Sequence, residues 1–168
     1  MEKYLIFILL ISLGVNCQPK VENTTLQYDK EIIAIFDNSK SDLLKNTKKA
    51  QLNSNDIIEI DKILKASILQ YNVNEEKRLP ELQAKYPEEK IDKSWVDIEI
   101  EKYKRQYIPY INNKGEKEVW IYCTINRRVH STWKKEILFA AGGGNYYFEV
   151  TVNLSNKTYR DFSINGPA

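Results

Sequence analysis

Asp97, Glu99 and Glu101 stand at alternate positions, separated by Ile98 and Ile100. In an extended chain such carboxylates project from one side, with neighbours about 7 Å apart. That spacing suits the paired acids of a glycoside hydrolase or part of a calcium site. Any strand with one wet face produces the same pattern. The other reactive residues are few: His130 is the only histidine, and Cys123 the only cysteine besides Cys17. A Cys123–His130 nucleophilic pair would need an activated thiol, and Cys123 falls on the apolar side of its expected strand, where a thiol is inert. One histidine and one buried cysteine also supply too few ligands for zinc. Gly142-Gly143-Gly144 has the composition of a phosphate loop. Asn145-Tyr146-Tyr147-Phe148 continues it as a strand, however, not as a helix whose first amides could hold an anion. The sequence thus names no catalytic residue, no metal ligand set and no cofactor.

The aromatic residues offer more. Trp120, Tyr122, Tyr147 and Leu138 are expected on the sheet face turned away from the main helix, with Tyr103 and Tyr107 beside them. Arg127, Arg128, His130 and Trp133 occupy the adjoining loop and would rim that face. Tyr, Trp and Arg are the usual anchors of interfaces, and a contiguous aromatic patch is rarely left wet without a use. Two outcomes stay open: the 73–94 segment or the first strand covers the face, or it is exposed for docking. The same mixture of aromatic and basic residues would suit single-stranded nucleic acid, but an exported protein seldom meets it, so no nucleic-acid partner is expected.

These residues need a scaffold, and hydrophobic periodicity supplies one. Ile57, Ile60, Leu64, Ile68 and Tyr71 recur every three or four residues and predict a long amphipathic helix, capped by Asn53 or Ser54 and ending near Asn72. Glu31–Phe36 reads as a short first strand, and Ser41–Lys49 as a short helix. Residues 73–94 are polar, carry Pro80 and Pro87, and allow one helical turn around Leu82. From Val96 the period becomes two. Strands are expected over 96–101, 103–111, 118–125, 134–141 (Ile137, Phe139 and Ala141 inward), 145–154 and 158–164. Pro109 implies an edge or a bulge, and Asn112-Asn113-Lys114-Gly115 a hairpin turn. The expected fold is α+β: one long amphipathic helix packed on a curved antiparallel sheet of four to five strands, the layout of cystatin-like, PepSY-like and lysozyme-inhibitor-like domains. Such a likeness of layout carries no function.

The N-terminus fixes the compartment. Glu2 and Lys3 precede an apolar run from Tyr4 to Leu13, followed by Gly14-Val15-Asn16-Cys17. A membrane-spanning helix needs about 20 apolar residues, so this run has the length of an export signal. Leu13 to Cys17 resembles the box that precedes the lipidated cysteine of bacterial lipoproteins, with Leu13 one place early and Asn16 larger than usual. Conventional signal cleavage near the same point is the alternative. The organisation is therefore a signal peptide over 1–16, a tether over 17–30 lipid-anchored at Cys17, and one domain over 31–168. About 150 residues can bury a core without staples, and with Cys17 acylated no internal disulfide remains. The three sequons, at Asn23, Asn153 and Asn156, read as polar turns.

The net charge is +2, but its distribution is uneven. Residues 81–101 hold seven acidic side chains against three lysines, and residues 102–135 nine basic ones against two acidic. Without a compact basic cluster, this reads as a solvated sheet face.

Together, the Cys17 signal, Tyr103–Tyr107 with Gly115–Trp120, and the terminal Gly143–Phe148, Asn153-Leu154 and Ile164–Gly166 resemble the small exported lipoproteins of Bacteroidota. The resemblance covers the signal and roughly the last third of the chain, and implies the cell envelope without an activity. The expected function is a non-enzymatic binding or inhibitory module, anchored to a membrane by lipid, that meets an envelope or secreted protein. The alternative is a hydrolase that uses the 97–101 carboxylates on envelope glycans or peptides.

Overall fold

The 57/60/64/68 spacing produces helix α1 (Ser54–Glu76) in the computed structural model, which describes residues 26–166. The expected signal peptide and Cys17 lie outside the described residues. A reciprocal cap starts the helix. Asn53 Oδ1 accepts from the Asp56 amide (2.9 Å), and Asp56 Oδ2 accepts from the Asn53 amide (2.8 Å), so two donors that a helix start leaves unpaired are satisfied. Asp56 also takes Lys117 Nζ at 2.8 Å, tying the helix start to the sheet. Ile57, Ile60, Ile63, Leu64 and Ile68 are buried. Each such side chain contributes about 1.5–3 kcal/mol when fully withdrawn from water, so packing of this stripe holds α1 far more than helix propensity does. The helix runs one turn past the expected Asn72.

The sheet has six strands and is open: β1 (Ile33–Ile35), β2 (Lys48–Lys49), β3 (Tyr103–Ile111), β4 (Lys117–Ile125), β5 (Tyr147–Asn153) and β6 (Thr158–Ile164). The order is β1-β3-β4-β5-β6, with β2 also on β3. All pairings are antiparallel except β1 with β3. The α+β class with a largely antiparallel sheet is therefore as expected, with six strands where four or five were anticipated. Val119, Ile121, Cys123, Phe148, Val150 and Val152 form its inner face beneath α1. Leu26 and Tyr28, read in the sequence as tether, are half buried against the same core. Arg105 also lies on that inner side, buried, with Nη1 3.5 Å from Asp61 Oδ1 on α1.

Pro109 explains why β1 and β2 are separate strands. The Arg105 amide donates to the Ile32 carbonyl (2.8 Å), and Tyr107 accepts from the Phe36 amide (2.9 Å). Position 109 faces the same edge, where proline has no N–H to offer. Pairing on that edge resumes with Tyr110 opposite Lys49.

Three expected elements differ. Residues 41–47 form turns that lead into β2, not a helix: the buried Asn38 donates to the carbonyls of Leu44 (3.2 Å) and Thr47 (2.8 Å), which a continuing helix would have consumed. Residues 96–101 bury Val96, Ile98 and Ile100 but join no strand. The Asn72 side chain takes the partner's place, accepting from the Ile98 amide (2.9 Å) and donating to its carbonyl (3.0 Å). Residues 134–141 are not a strand either; they belong to a strap on the outer face. The turn around Leu82 is helix α2 (Leu79–Lys85).

On β6, Arg160 pairs with Thr151 and Ser163 with Glu149, leaving one extra residue in β6. This bulge centres on Asp161, whose φ is 54°.

Candidate functional site

The outer sheet face is covered, though by neither of the two segments expected to cover it. Residues 126–146, which connect β4 to β5, fold back over β3 and β4. Gln106, only 1 % exposed, projects from the outer side of β3 and grips this strap. Its Nε2 donates to the carbonyls of Trp133 (2.6 Å) and Glu136 (2.7 Å), and its Oε1 accepts from the Leu138 amide (2.8 Å). Farther along, the Ala140 amide donates to the Tyr122 hydroxyl (3.1 Å), and Asn165 Nδ2 donates to the carbonyl of Gly142 (3.2 Å). Trp133 packs with Ala34, Phe36 and Ile108 in a second core, bordered by Trp120, Ile137 and Leu138. The strap ends at Gly143, whose φ is 93°; a Cβ there would fall 2.8 Å from the Tyr147 ring. The glycine run thus turns the chain into β5, as expected, and opens no α-helix.

This cover sorts the six expected contact residues. Tyr122 and Trp133 are buried, Tyr122 holding the strap and Trp133 filling the space beneath it. Trp120 and Tyr147 remain partly exposed. They flank Tyr122, with ring centroids 6.0 and 6.5 Å from it, and Trp120 Nε1 donates to Glu149 Oε2 at 3.1 Å. Arg127 and Arg128 are exposed and lie over the Tyr146 ring, 4.5 and 5.4 Å from its centroid, which joins them to the loop end of the sheet. Phe139, expected to point inward, is 89 % exposed. It stands between two anchored neighbours, Leu138 and Ala140.

Asp97, Glu99 and Glu101 line a cleft of about 720 Å3 at the same end of the sheet, together with Lys102, Arg127, Asn145 and Tyr146. Glu99 and Glu101 are exposed, and Glu99 is ion-paired with Lys102. A second groove of about 570 Å3 adjoins it and shares Asn145; Trp95, Tyr86, Tyr71 and Phe162 line it. Trp95 and Tyr86 carried no expectation. Their signal was their setting, since aromatic residues in a polar, proline-containing stretch have no apolar stripe to join.

Cys123 is fully buried, and burial pushes its thiol well above the usual range. His130 is exposed, its Nδ1 3.0 Å from Thr132 Oγ1. The two form no dyad. Among the described residues no His, Cys, Asp and Glu group is arranged to hold a metal ion, and no helix is long and apolar enough to cross a membrane.

A polar cluster at the far end of the sheet is structural in character. Glu118, 2 % exposed, accepts from Tyr110 Oη (2.7 Å) and from Arg160 Nη2 (2.8 Å). Burial opposes its ionisation, but these hydrogen bonds outweigh burial and hold the carboxyl below its ordinary range. Neighbouring Glu116 is held down by the side-chain amides of Asn112, Asn156 and Asn153.

No family model, no curated protein and no solved structure matches this chain.

Proposed function

We propose that the chain is a non-enzymatic binding or inhibitory module of the bacterial cell envelope, exported, lipid-anchored at Cys17, and directed at an envelope or secreted protein. Phe139 carries this reading. A phenylalanine held almost wholly in water has no folding role, and its backbone is fixed on both sides by bonds to Gln106 and Tyr122. A rigid aromatic anchor loses little freedom on docking, which is how a small patch becomes an energetic hot spot. Trp120 and Tyr147, partly exposed on either side of Tyr122, are the further aromatic contacts in this reading, and Arg127 and Arg128 its charged rim. A cystatin-like arrangement, with helix on one face and loops at the sheet end, belongs to the same reading, with the strap over the outer face as the surface that meets the partner.

The test is capture from envelope and secreted fractions by the wild-type domain and by Phe139→Ala and Trp120→Ala variants with unaltered circular dichroism. Loss of a captured protein in both variants is expected. Equal capture by all three proteins, or none by the wild type, overturns the proposal.

A second reading rests on the cleft at Asp97, Glu99 and Glu101: a carboxylate-dependent hydrolase of envelope glycans or peptides. Asp97→Asn and Glu99→Gln should then abolish turnover of cell-wall substrates, and a wild-type protein inert on them removes this reading.

A further inference from the structure

We infer that the paired grooves around Asn145 bind a short neutral or amine-bearing oligosaccharide. The apolar part is a shelf of two aromatic rings. Trp95 and Tyr86 lie 6.3 Å apart, tilted by 32°, and keep 45 % and 42 % of their surface in water. Tyr71 stacks on Phe162 at 5.2 Å on the floor of the same groove. Aromatic faces carry partial negative charge and suit the C–H face of a pyranose ring, which offers polarised hydrogens over a flat area.

A sugar ring presents hydroxyls around its edge, and the carboxylate cleft meets that need with planar groups. Asp97, Glu99 and Glu101 accept hydrogen bonds only, Arg127 donates only, and Asn145 does both. Asn145 joins the two halves, because its Nδ2 lies 3.4 Å from the Trp95 carbonyl and 3.5 Å from that of Asp97. Grooves of about 720 and 570 Å3 fall in the size range of small-molecule sites, about 300–1,000 Å3.

The walls are already ordered. Gln83 fixes the Tyr86 loop, donating to the carbonyls of Tyr86 (3.3 Å) and Glu89 (2.7 Å) and accepting from the Ile91 amide (3.1 Å). Tyr103 Oη donates to the Asn145 carbonyl at 2.5 Å and steadies the central residue. Charge selects the kind of sugar. Three acidic residues line the cleft against two basic ones, Lys102, paired with Glu99, and Arg127, so the balance is acidic and favours hydroxyl or ammonium groups over uronic or phosphorylated glycans.

This inference deepens the second reading through its cleft alone, since binding requires no bond cleavage, and it shares only Arg127 with the Phe139 surface. The experiment is isothermal titration of the purified chain with chitotetraose, its fully deacetylated counterpart and oligogalacturonate as anionic control, with product analysis of each mixture. Saturable binding of at least one of the first two in the micromolar to millimolar range is expected, with the anionic oligomer weaker. Trp95→Ala and Tyr86→Ala should each weaken binding about tenfold, the worth of one aromatic contact, while Trp95→Phe retains most of it. Tyr86→Ala tests the shelf even if Trp95→Ala does not fold. Intact sugar after binding supports the site and removes hydrolysis of that glycan. The inference is overturned by absence of heat with both sugars, by equal binding of the anionic oligomer, or by unchanged affinity in both alanine variants.

Discussion

Arg160 and Phe162, two residues apart on one strand, serve opposite faces of the sheet. Arg160 reaches the Glu118 carboxylate on the outer face, and Phe162 stacks on Phe148 and Tyr71 beneath α1. In a regular strand residues i and i+2 share a face. The bulge at Asp161 changes the parity, and its φ of 54° is the backbone expression of that change.

The first prediction concerns that residue. A left-handed conformation costs a side chain with a Cβ roughly 1–2 kcal/mol. Asp161→Gly should therefore leave stability unchanged or raise it by up to about 1 kcal/mol. Asp161→Ile should lower it by more than about 1 kcal/mol, because a β-branched side chain tolerates this geometry poorly. Urea denaturation of the three proteins checks the order.

Gln106 is the clasp of the strap. Gln106→Leu keeps the volume and loses three hydrogen bonds, two of which would leave strap carbonyls unpaired. A loss of about 3 kcal/mol is expected at roughly 1 kcal/mol per bond. The Leu138 amide should lose its hydrogen-exchange protection before any β3 amide does. A variant that keeps wild-type protection at Leu138 would show that Trp133 and Ile137 hold the strap unaided.

Acid should weaken the far end of the sheet. The folded Glu118 carboxyl is held below its ordinary value, so its contribution is fully present above the unfolded-state pKa of about 4.3. It is lost as pH falls through the lower, folded-state value. The stability gap between wild type and Glu118→Gln should consequently be constant near neutral pH and narrow on acidification below about pH 4.5. Denaturation midpoints measured from pH 3 to 7 decide the matter, and a gap independent of pH contradicts it.

The Cys123 thiol, enclosed and poorly ionised, should resist alkylation in the native protein. Iodoacetamide should label the Cys123 peptide slowly without denaturant and rapidly in 6 M guanidinium, as read by peptide mass. Rapid native labelling would place the sulfur on an accessible face.

The sequence was most legible where one periodicity met one partner. The 57/60/64/68 stripe, the turn at Asn112–Gly115 and the alternation in β4, β5 and β6 all correspond to elements of the structure. Alternation at 96–101 misled because it reports burial and not pairing: Ile98 is buried, yet its amide and carbonyl bond to the Asn72 side chain. The 134–141 segment failed for a related reason. Ile137 and Phe139 look like one face of a strand, but Gln106 takes the backbone bonds such a strand would use, and that glutamine lies some thirty residues earlier. At the site, Trp120 lies on the outer face of β4, as the alternation implies, and Arg127 and Arg128 follow the end of that strand. The burial of Tyr122 and Trp133 depends on a long loop whose path no local pattern describes, and the exposure of Phe139 follows from the same path.

The break at Pro109 also has a kinetic meaning. β3 and β4 are joined by a short turn, whereas the parallel pairing of Ile33 with Arg105 must close a loop containing all of α1. Closing so long a loop is entropically slow, and β1 and β2, split by the proline, are too short to help one another. We expect the Phe36 amide to gain exchange protection after those of Val119 and Ile121 during refolding. The first strand of the sheet in chain order would then settle after the hairpin that follows it.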